Sequence, residues 1–315
     1  MELMRATAIG LALAGACGAL PAAAQDAQEA VATARPAVGT ALFYSTDSDD
    51  STTMRAAIDF DLRHESDQKR LGFRLEQAWY DPVDSGTRKR ERAFVRWADG
   101  NDRWKWSTMV GTDGHTVIGT ASIHDEARFR KELFVERDVI ETRRGLDERL
   151  YATFGGAAID LPAGERTTFT VLAGLQEFTG DNVRLHARAN AVHVVDPDLG
   201  LSAQLRTRWF RNSDPREFDY YSPRWYAQVL PVLQVRRFVD GWELVGAGGI
   251  GAQRDSDSEW GQARFAQVRV NSPSGSANDL VVRGELTYTN APATSAVSGP
   301  GYSYFQAALG LTKRF

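Results

Sequence analysis

The sequence predicts an all-β transmembrane barrel of about sixteen antiparallel strands in up-and-down order, on three observations. Long segments alternate apolar and polar residues with a period of two. Their polar side carries arginine, glutamate, glutamine and histidine, which suits a water-filled lumen better than a soluble core. The chain ends in Phe315 after such a segment, and a terminal aromatic is typical of the last strand of an outer-membrane barrel.

The first 24 residues have the three parts of a secretory signal peptide. Arg5 is the basic residue, 8–20 is apolar, and three alanines at 22–24 offer a cleavage site before Gln25. The apolar part is too short to span a membrane as a helix, although a retained anchor is the alternative. We therefore expect three regions, which are a signal peptide at 1–24, a periplasmic lead-in at 25–36 and the barrel at 37–315.

Cys17, inside this leader, is the only cysteine of the chain. A lipoprotein signal would have leucine at position 14, where Ala14 stands instead. After cleavage the chain would have no thiol chemistry. The net charge of −4 gives no case for nucleic-acid binding, and a mean hydropathy of −0.37 without another long apolar run excludes a helical membrane protein.

Sixteen alternating segments follow the lead-in, and an even number is what single-chain bacterial barrels have. The predicted spans are 38–47, 53–64, 69–80, 90–98, 103–112, 115–123, 128–138, 147–159, 165–177, 182–195, 199–211, 224–238, 241–254, 260–271, 279–290 and 302–315. Residues 125–149 are highly charged, so segments six to eight have the weakest pattern and fourteen strands is the alternative count.

The connections between segments differ in length in a regular way. Even-numbered connections such as 64–67, 160–164 and 239–241 have turn residues, whereas the long connections 212–223 and 291–301 have odd numbers. This predicts a periplasmic N-terminus with long extracellular loops, and an outer-membrane location. Tryptophans near segment ends suit the two membrane interfaces; they are Trp79, Trp97, Trp104, Trp209, Trp225, Trp242 and Trp260.

The inward face of the predicted barrel has a basic wall on neighbouring strands. The candidate lumen residues are Arg184, His186, Arg188, Gln204, Arg206, Arg208, Gln234, Arg236, Arg283 and Glu285. Such a wall favours passage of polar and anionic solutes. A salt-bridged lumen with a structural role is the alternative. Aromatic residues at strand ends, namely Tyr220, Tyr221, Trp225 and Tyr226, would either stack on sugar rings or anchor the rim.

Catalytic and metal chemistry has little support in the sequence. The five histidines do not have metal-ligand spacing, so we expect neither a metal nor a cofactor. Ser107, Ser202 and His186 would face inward, but nothing else marks them as a catalytic set. We therefore expect a protein that is not an enzyme.

Three segments resemble the C-terminal barrel of outer-membrane exopolysaccharide export porins, of the poly-N-acetylglucosamine and cellulose secretion type. They are 136–142, which contains Asp138 and Glu141; 176–184, which contains Gly180, Asp181 and Asn182; and 220–223, which ends in Tyr221, Ser222 and Pro223. The resemblance covers about 130–315. The order Gly-Asp-Asn departs from the family's Asp-Gly-Asn.

The resemblance implies a sixteen-stranded pore that passes a polysaccharide chain. Members of the family have a periplasmic tetratricopeptide scaffold before the barrel, which is not found in this sequence, so the resemblance implies a separate scaffold protein and a polysaccharide synthase system as partners. Outer-membrane lipid and the barrel-assembly machinery are the other expected partners. The basic wall argues against the cationic polymer that the family's glucosamine pores favour.

Three functional hypotheses remain. The first is a non-enzymatic pore that passes an exopolysaccharide or another polar solute passively. The second is a structural or surface-receptor barrel with a plugged lumen, and the third is an outer-membrane hydrolase of lipid or glycan.

Overall fold

The computed structural model describes residues 34–273, 278–291 and 302–315. The predicted signal peptide and most of the predicted lead-in lie outside the described residues. Within these residues, no helix is both long and apolar enough to cross a membrane.

Sixteen antiparallel strands form one closed barrel, which confirms the predicted fold class. The strands are β1 (Arg35–Asp47), β2 (Thr52–Ser66), β3 (Lys69–Asp81), β4 (Arg88–Gly100), β5 (Trp104–Thr112), β6 (Val117–Asp125), β7 (Lys131–Val139), β8 (Tyr151–Pro162), β9 (Thr167–Phe178), β10 (Val183–Asp196), β11 (Leu201–Asn212), β12 (Trp225–Val239), β13 (Trp242–Asp255), β14 (Gly261–Asn271), β15 (Leu280–Thr289) and β16 (Tyr304–Arg314).

Each strand pairs with its neighbours in sequence, and β16 closes the barrel against β1. In this pairing Leu42 lies opposite Leu309 and Ala37 opposite Arg314. The backbone N–H of Phe315 donates to the carbonyl of Pro36 at 3.0 Å. The terminal segment therefore closes the barrel at the place that its alternation predicts.

The predicted strand boundaries differ from the observed ones mainly around the charged connection before β8. Strand eight begins at Tyr151 and not at residue 147, because Arg143–Asp147 forms a short helix, α1. Thr142 caps this helix, and its side-chain oxygen accepts from the N–H of Gly145 at 3.1 Å. β1 begins at Arg35, inside the predicted lead-in, because Arg35 still pairs with His64 of β2 beyond a bulge.

Alternation separates an apolar outer face from a polar inner face. Leu42, Phe73, Leu233 and Ile250 are among the large apolar side chains exposed on the outside. The tryptophans lie near strand ends, with Trp97, Trp104 and Trp242 at one end of the barrel and Trp79, Trp209, Trp225 and Trp260 at the other. This distribution is the one expected for a barrel whose middle band faces hydrocarbon.

The two ends of the barrel differ in their connections. At one end of the barrel, β1 begins and β16 finishes. We call this side the turn end, because most of its connections are short, such as 67–68 and 240–241. At the opposite end, the loop end, lie the longer connections 140–150, 213–224 and 290–303.

Candidate functional site

The lumen wall formed by β2, β3, β4 and β7 is a network of ion pairs. Asp59 Oδ1 accepts from Arg74 Nε at 2.7 Å, and its Oδ2 lies 2.7 Å from Arg96 Nη1. Nearer the loop end, Arg92 lies 2.8 Å from Asp138 and 3.2 Å from Glu76. Basic and acidic side chains therefore alternate on this wall, and we call it the mixed wall.

The wall formed by β10, β11 and β12 has a different composition. The predicted residues Arg188, Gln204, Arg206, Arg208 and Gln234 all lie at inward positions of these strands. The Gln204 amide donates to the Gln234 side-chain oxygen at 3.2 Å, and Arg206 Nε donates to Gln204 Oε1 at 3.0 Å. Sequence alternation brings these side chains together on one side of the lumen.

The side chains of Arg184 and His186 point inward but are fully buried, so they do not line a water-filled part of the lumen. Arg184 donates to Asn212 Oδ1 at 2.8 Å and to the carbonyl of Tyr221 at 2.5 Å. Its guanidinium lies over the Phe210 ring, 4.4 Å from the centroid. His186 lies 3.1 Å from Gln176 Oε1 and packs on Phe154.

The remaining predicted lumen residues lie elsewhere on the inner face. Arg236 Nε donates to Glu243 Oε1 at 2.6 Å near the turn end. Arg283 of β15 pairs with Asp67 in the β2–β3 turn. Glu285 accepts from Thr287 at 3.2 Å on the same strand. The sequence prediction treats these residues as one set, but the structure distributes them over separate local contacts.

Two connections at the loop end fold into the lumen, and we call residues 140–150 and 213–224 together the loop plug. Leu146 of α1 packs with Tyr80 and Phe94 of the barrel wall. Ile140 and Leu150 pack with Phe178 of β9 and Tyr220 of the second connection. These apolar contacts hold the two loops inside the lumen, against the inner faces of the strands, at this level.

Glu141 fixes the first connection to the barrel wall. Its carboxylate pairs with the Arg55 guanidinium and accepts from Thr53 Oγ1 at 3.0 Å. Both charged side chains are almost inaccessible, with exposed fractions of 7% for Glu141 and 5% for Arg55. Burial acts to raise the pKa of Glu141, but the adjacent Arg55 charge and the hydrogen bond from Thr53 are among the effects that act against burial, and the pKa is held below its usual range.

Asp219 connects the second loop to the first. Thr142 Oγ1 donates to Asp219 Oδ1 at 2.5 Å, and the Arg144 N–H donates to Asp219 Oδ2 at 2.8 Å. We call these bonds, together with those from Glu141 to Arg55 and Thr53, the latch.

The motif residues 180–182 form the next fixed point of the loop plug. The N–H groups of Asp181 and Asn182 donate to the Glu217 carboxylate at 2.5 and 3.2 Å. Gly180 has φ of +113°, and a side chain there would meet the same carboxylate. Asn182 is fully buried and donates to Asn212 at 3.2 Å and to Tyr220 at 3.0 Å.

The motif at 220–223 is buried by the same contacts. The Tyr221 hydroxyl donates to Asp255 Oδ2 at 2.5 Å, and burial together with this bond raises the pKa of the phenol. Ser222 Oγ accepts from the Arg216 N–H at 2.9 Å, and the Pro223 carbonyl accepts from Asn212. Tyr220, Tyr221 and Tyr226 are all buried, so in this conformation their rings are not accessible to a sugar, and of the two alternatives this favours anchoring of the rim.

The sequence prediction did not identify the residues that bind the three motifs and fix the loops in the lumen. Arg55, Glu217 and Asp219 bind motif residues but lie far from them along the chain. Only the inward position of Arg55 in its strand could have marked it beforehand. The loop carboxylates lie outside any periodic segment, so no pattern identifies them.

Among the cavities that the described residues form, two lie on either side of the level of the loop plug. One, of about 540 Å³, is at the loop end and includes Asp47, Glu141, Asp219 and Tyr302 in its lining. The other, of about 900 Å³, opens at the turn end and extends along the wall to Phe134 and Glu136 of β7. Over the described part of the chain, no three His, Asp or Glu side chains form a group that could hold a metal ion.

Comparison with known proteins supports the fold. The structure resembles a bacterial polysaccharide outer-membrane secretin, with a TM-score of 0.61 and 13% sequence identity over 88% of this chain and 98% of that one. OprD of Pseudomonas aeruginosa, with a TM-score of 0.46 and 9% identity, covers 90% of this chain and 96% of its own. OmpT of Vibrio cholerae has a TM-score of 0.43 and 9% identity, and the alignment covers 89% of this chain and 97% of the OmpT chain.

No protein-family model matches the sequence, and no curated protein matches it either. The similarity to solved structures is therefore one of architecture over nearly the whole chain. The protein has the sixteen-stranded fold of outer-membrane β-barrels.

Proposed function

We propose that this protein is a non-enzymatic outer-membrane pore that conducts a polysaccharide chain. The turn end would face the periplasm and the loop end the outside, as in other outer-membrane barrels. A cleaved signal peptide would direct the chain across the inner membrane. A separate periplasmic scaffold and a polysaccharide synthase would supply the polymer.

The observation that carries the proposal is a closed barrel with an apolar outside and two polar walls inside. The mixed wall and the wall of β10–β12 supply charged and amide groups along the lumen. These groups can replace the hydrogen bonds that sugar hydroxyls make with bulk water. The likeness to a polysaccharide secretin supports this solute class. Transport would be passive, and growth of the chain would drive it.

The loop plug occupies the loop-end part of the lumen in this conformation. Passage of a polymer therefore requires the 140–150 and 213–224 connections to move out of the lumen. Most of the bonds that hold them are polar and lie within or beside the loops, so the strand ladder can stay intact during this movement. We infer that the pore is gated by these loops.

A second candidate function follows from the same contacts. The loop plug buries aromatic and aliphatic side chains against the wall, as a permanent structural feature would. A barrel closed in this way would act as a structural or receptor protein with a plugged lumen.

Planar-bilayer recording separates the two candidates. We would compare the purified barrel with a variant in which 143–148 and 214–221 are replaced by short Gly-Ser turns. A pore gives larger and more frequent currents after shortening, and these currents are reduced by oligosaccharides that enter the lumen. A complete lack of current in the shortened, folded variant would contradict the pore and favour the plugged barrel.

A further inference from the structure

Three arginines project outward at the loop end of the neighbouring strands β11 to β14. Arg211 is the last outward residue of β11, Arg254 the last of β13, and Arg264 the second of β14. Arg211 pairs with Trp225, the first residue of β12, and Arg254 pairs with Ala227, the next outward residue of β12. We call Arg211, Arg254 and Arg264 the outer arginine patch.

The guanidinium groups of the outer arginine patch have few partners among the described residues. Arg254 Nε donates to the Ser258 carbonyl at 3.0 Å, and Arg264 Nε donates to Gln262 Oε1 at 2.7 Å. Both bonds use Nε, so the terminal Nη groups have no protein acceptor within the described ranges. The exposed side chain of Arg211 has no hydrogen bond or ion pair in the same part of the chain. All three arginines can therefore donate to a ligand on the outer surface.

Tryptophans beside the patch indicate its level in the membrane. Trp225 lies opposite Arg211, and the Arg254 guanidinium lies over the Trp225 ring, 5.7 Å from its centroid. Trp209 is the outward residue before Arg211, and the exposed Trp260 directly precedes β14. Tryptophan rings prefer the interface between hydrocarbon and water. The arginines beside them are therefore at the level of the lipid headgroups.

The outer face around the patch has an excess of positive charge. No aspartate or glutamate occupies an outward position of β10 to β14. The Asp255 carboxylate points inward, and Asp257 in the β13–β14 turn pairs with an arginine of the loop plug, which leaves Glu259 as the remaining carboxylate of that turn. β4 and β9, in contrast, have outward carboxylates near the same end, Glu91 and Glu177. The patch therefore complements an anion at the membrane surface.

We propose that the outer arginine patch binds a phosphate-bearing lipid of the outer leaflet, the lipid A part of lipopolysaccharide, through its phosphate groups. With the loop end outside, the patch lies in the leaflet that contains this lipid. Arginine presents parallel N–H groups that match phosphate oxygens, and clusters of basic residues at a membrane surface recognise anionic headgroups. The lipid site rests on the orientation given with the proposed function but not on conduction of a solute.

The spacing within the patch suits a headgroup with two phosphates. Arg264 lies opposite Ile250, which is four residues from Arg254 along β13. This separation is roughly 14 Å along the strand, with a strand spacing of about 4.8 Å across it. Lipid A has a phosphate at each end of a sugar disaccharide, and the long arginine side chains can reach towards both. One lipid can therefore bind two arginines of the patch.

Native mass spectrometry of the barrel purified in detergent measures the lipid binding. The probes are lipid A with two phosphates, lipid A with one phosphate and the same acyl chains, and phosphatidylglycerol. The test variant is R211Q/R254Q/R264Q. The matched control is R103Q/R166Q/R237Q, which removes three exposed arginines at the turn end. Both variants lose three positive charges, and heat-modifiable mobility on gels reports whether each is folded.

The native barrel should bind the two-phosphate lipid more tightly than the other two lipids, and added salt should weaken this binding. The test variant should lose roughly tenfold or more in affinity for the two-phosphate lipid, and the control should keep native affinity. Equal affinity for all three lipids, or native affinity in the test variant, would overturn the lipid site and leave arginines that only extend to water. If the triple variant does not fold, R211Q and R264Q alone replace it, and unchanged affinity in both has the same meaning.

These outcomes are separate from those that test the pore. Preferential binding of the two-phosphate lipid, together with a lack of current in the loop-shortened barrel, would keep the lipid site and remove the pore function. Current in a barrel that does not distinguish the three lipids would keep the pore and remove the lipid site.

Discussion

At the residue scale, the loop plug depends on a few buried charges. Glu141 and Arg55 are paired almost completely out of water, and Asp138 lies 3.9 Å from the same guanidinium. Removing one partner of a buried ion pair generally costs about 3–5 kcal/mol, because the other charge stays buried without compensation. Much of the free energy that the latch contributes therefore depends on the Glu141 carboxylate, which binds both Arg55 and Thr53.

Glu141→Gln should weaken the first connection of the loop plug. We expect more frequent opening in planar bilayers, because the amide keeps the shape of the side chain but leaves the Arg55 charge less compensated. The control is Glu148→Gln, which changes an exposed carboxylate bound to Arg144 on the same connection. Equal opening frequencies for both variants and the native protein would contradict a role for Glu141 in holding the loop.

The lowered pKa of Glu141 makes the latch sensitive to acid. A carboxylate with a depressed pKa in the folded state contributes stability above its unfolded pKa, here 4.5, and loses it as pH falls through the folded value. Opening should therefore increase only below about pH 4.5, and Glu141→Gln should reduce this pH dependence. Single-channel recording between pH 7 and pH 3 measures it; a transition near neutral pH would point to another group.

At the scale of elements, α1 connects the first loop to the barrel wall. Leu146 is 2% exposed and lies with Tyr80 and Phe94, while Arg90 donates to its carbonyl at 2.7 Å. The helix is short and charged, and the strand prediction for 147–159 did not anticipate it. The position of α1 therefore depends on one buried apolar side chain, Leu146, and on the capping residue Thr142, and not on the alternating pattern that positions the strands.

Leu146→Ala should loosen α1 without disturbing the strands. Truncation of a buried leucine costs about 2–5 kcal/mol, and here the loss falls on a loop outside the strand ladder. We expect faster tryptic cleavage after Arg149 and an unchanged thermal transition of the barrel. Arg143→Ala, at an exposed position of the same helix, is the control. A large fall in barrel melting temperature with unchanged cleavage would show that Leu146 supports the wall instead.

At the scale of the whole molecule, alternation decides which residues meet lipid. Leu309 of β16 is exposed on the outer face, and the neighbouring Ala308 points inward. Because the same strand supplies both, they form a matched pair for testing the orientation of the wall.

Leu309→Arg should impair folding into lipid vesicles, whereas Ala308→Arg should not. An arginine on the lipid face near the middle of the bilayer costs about 2–4 kcal/mol, but one in the lumen meets water. Heat-modifiable mobility on gels reports the folded fraction. Equal folding of the two variants would contradict the assigned inner and outer faces.

The sequence predicted the strands well because each strand has a local signal with period two. All sixteen segments are present, and the closure of Phe305–Phe315 against β1 follows from the same pattern. The loop plug could not be predicted in this way. Its contacts join 140–150, 179–182 and 213–224 to distant strands, and no local periodicity encodes such pairs. The resemblance at 136–142 identified Glu141 but gave no indication of its partner Arg55.

The latch also has a consequence for the order of folding. Arg55 and Glu141 are 86 positions apart in the chain, and Thr142 and Asp219 are 77 apart. Contacts of such high sequence separation form late, because the entropy of closing long loops must first be offset by intervening structure. The strands from β2 to β11, which lie between the latch residues in the chain, therefore have to be assembled before the latch can close. A nascent barrel would pass through a state with an unobstructed lumen, and the obstructed state would be the last to form.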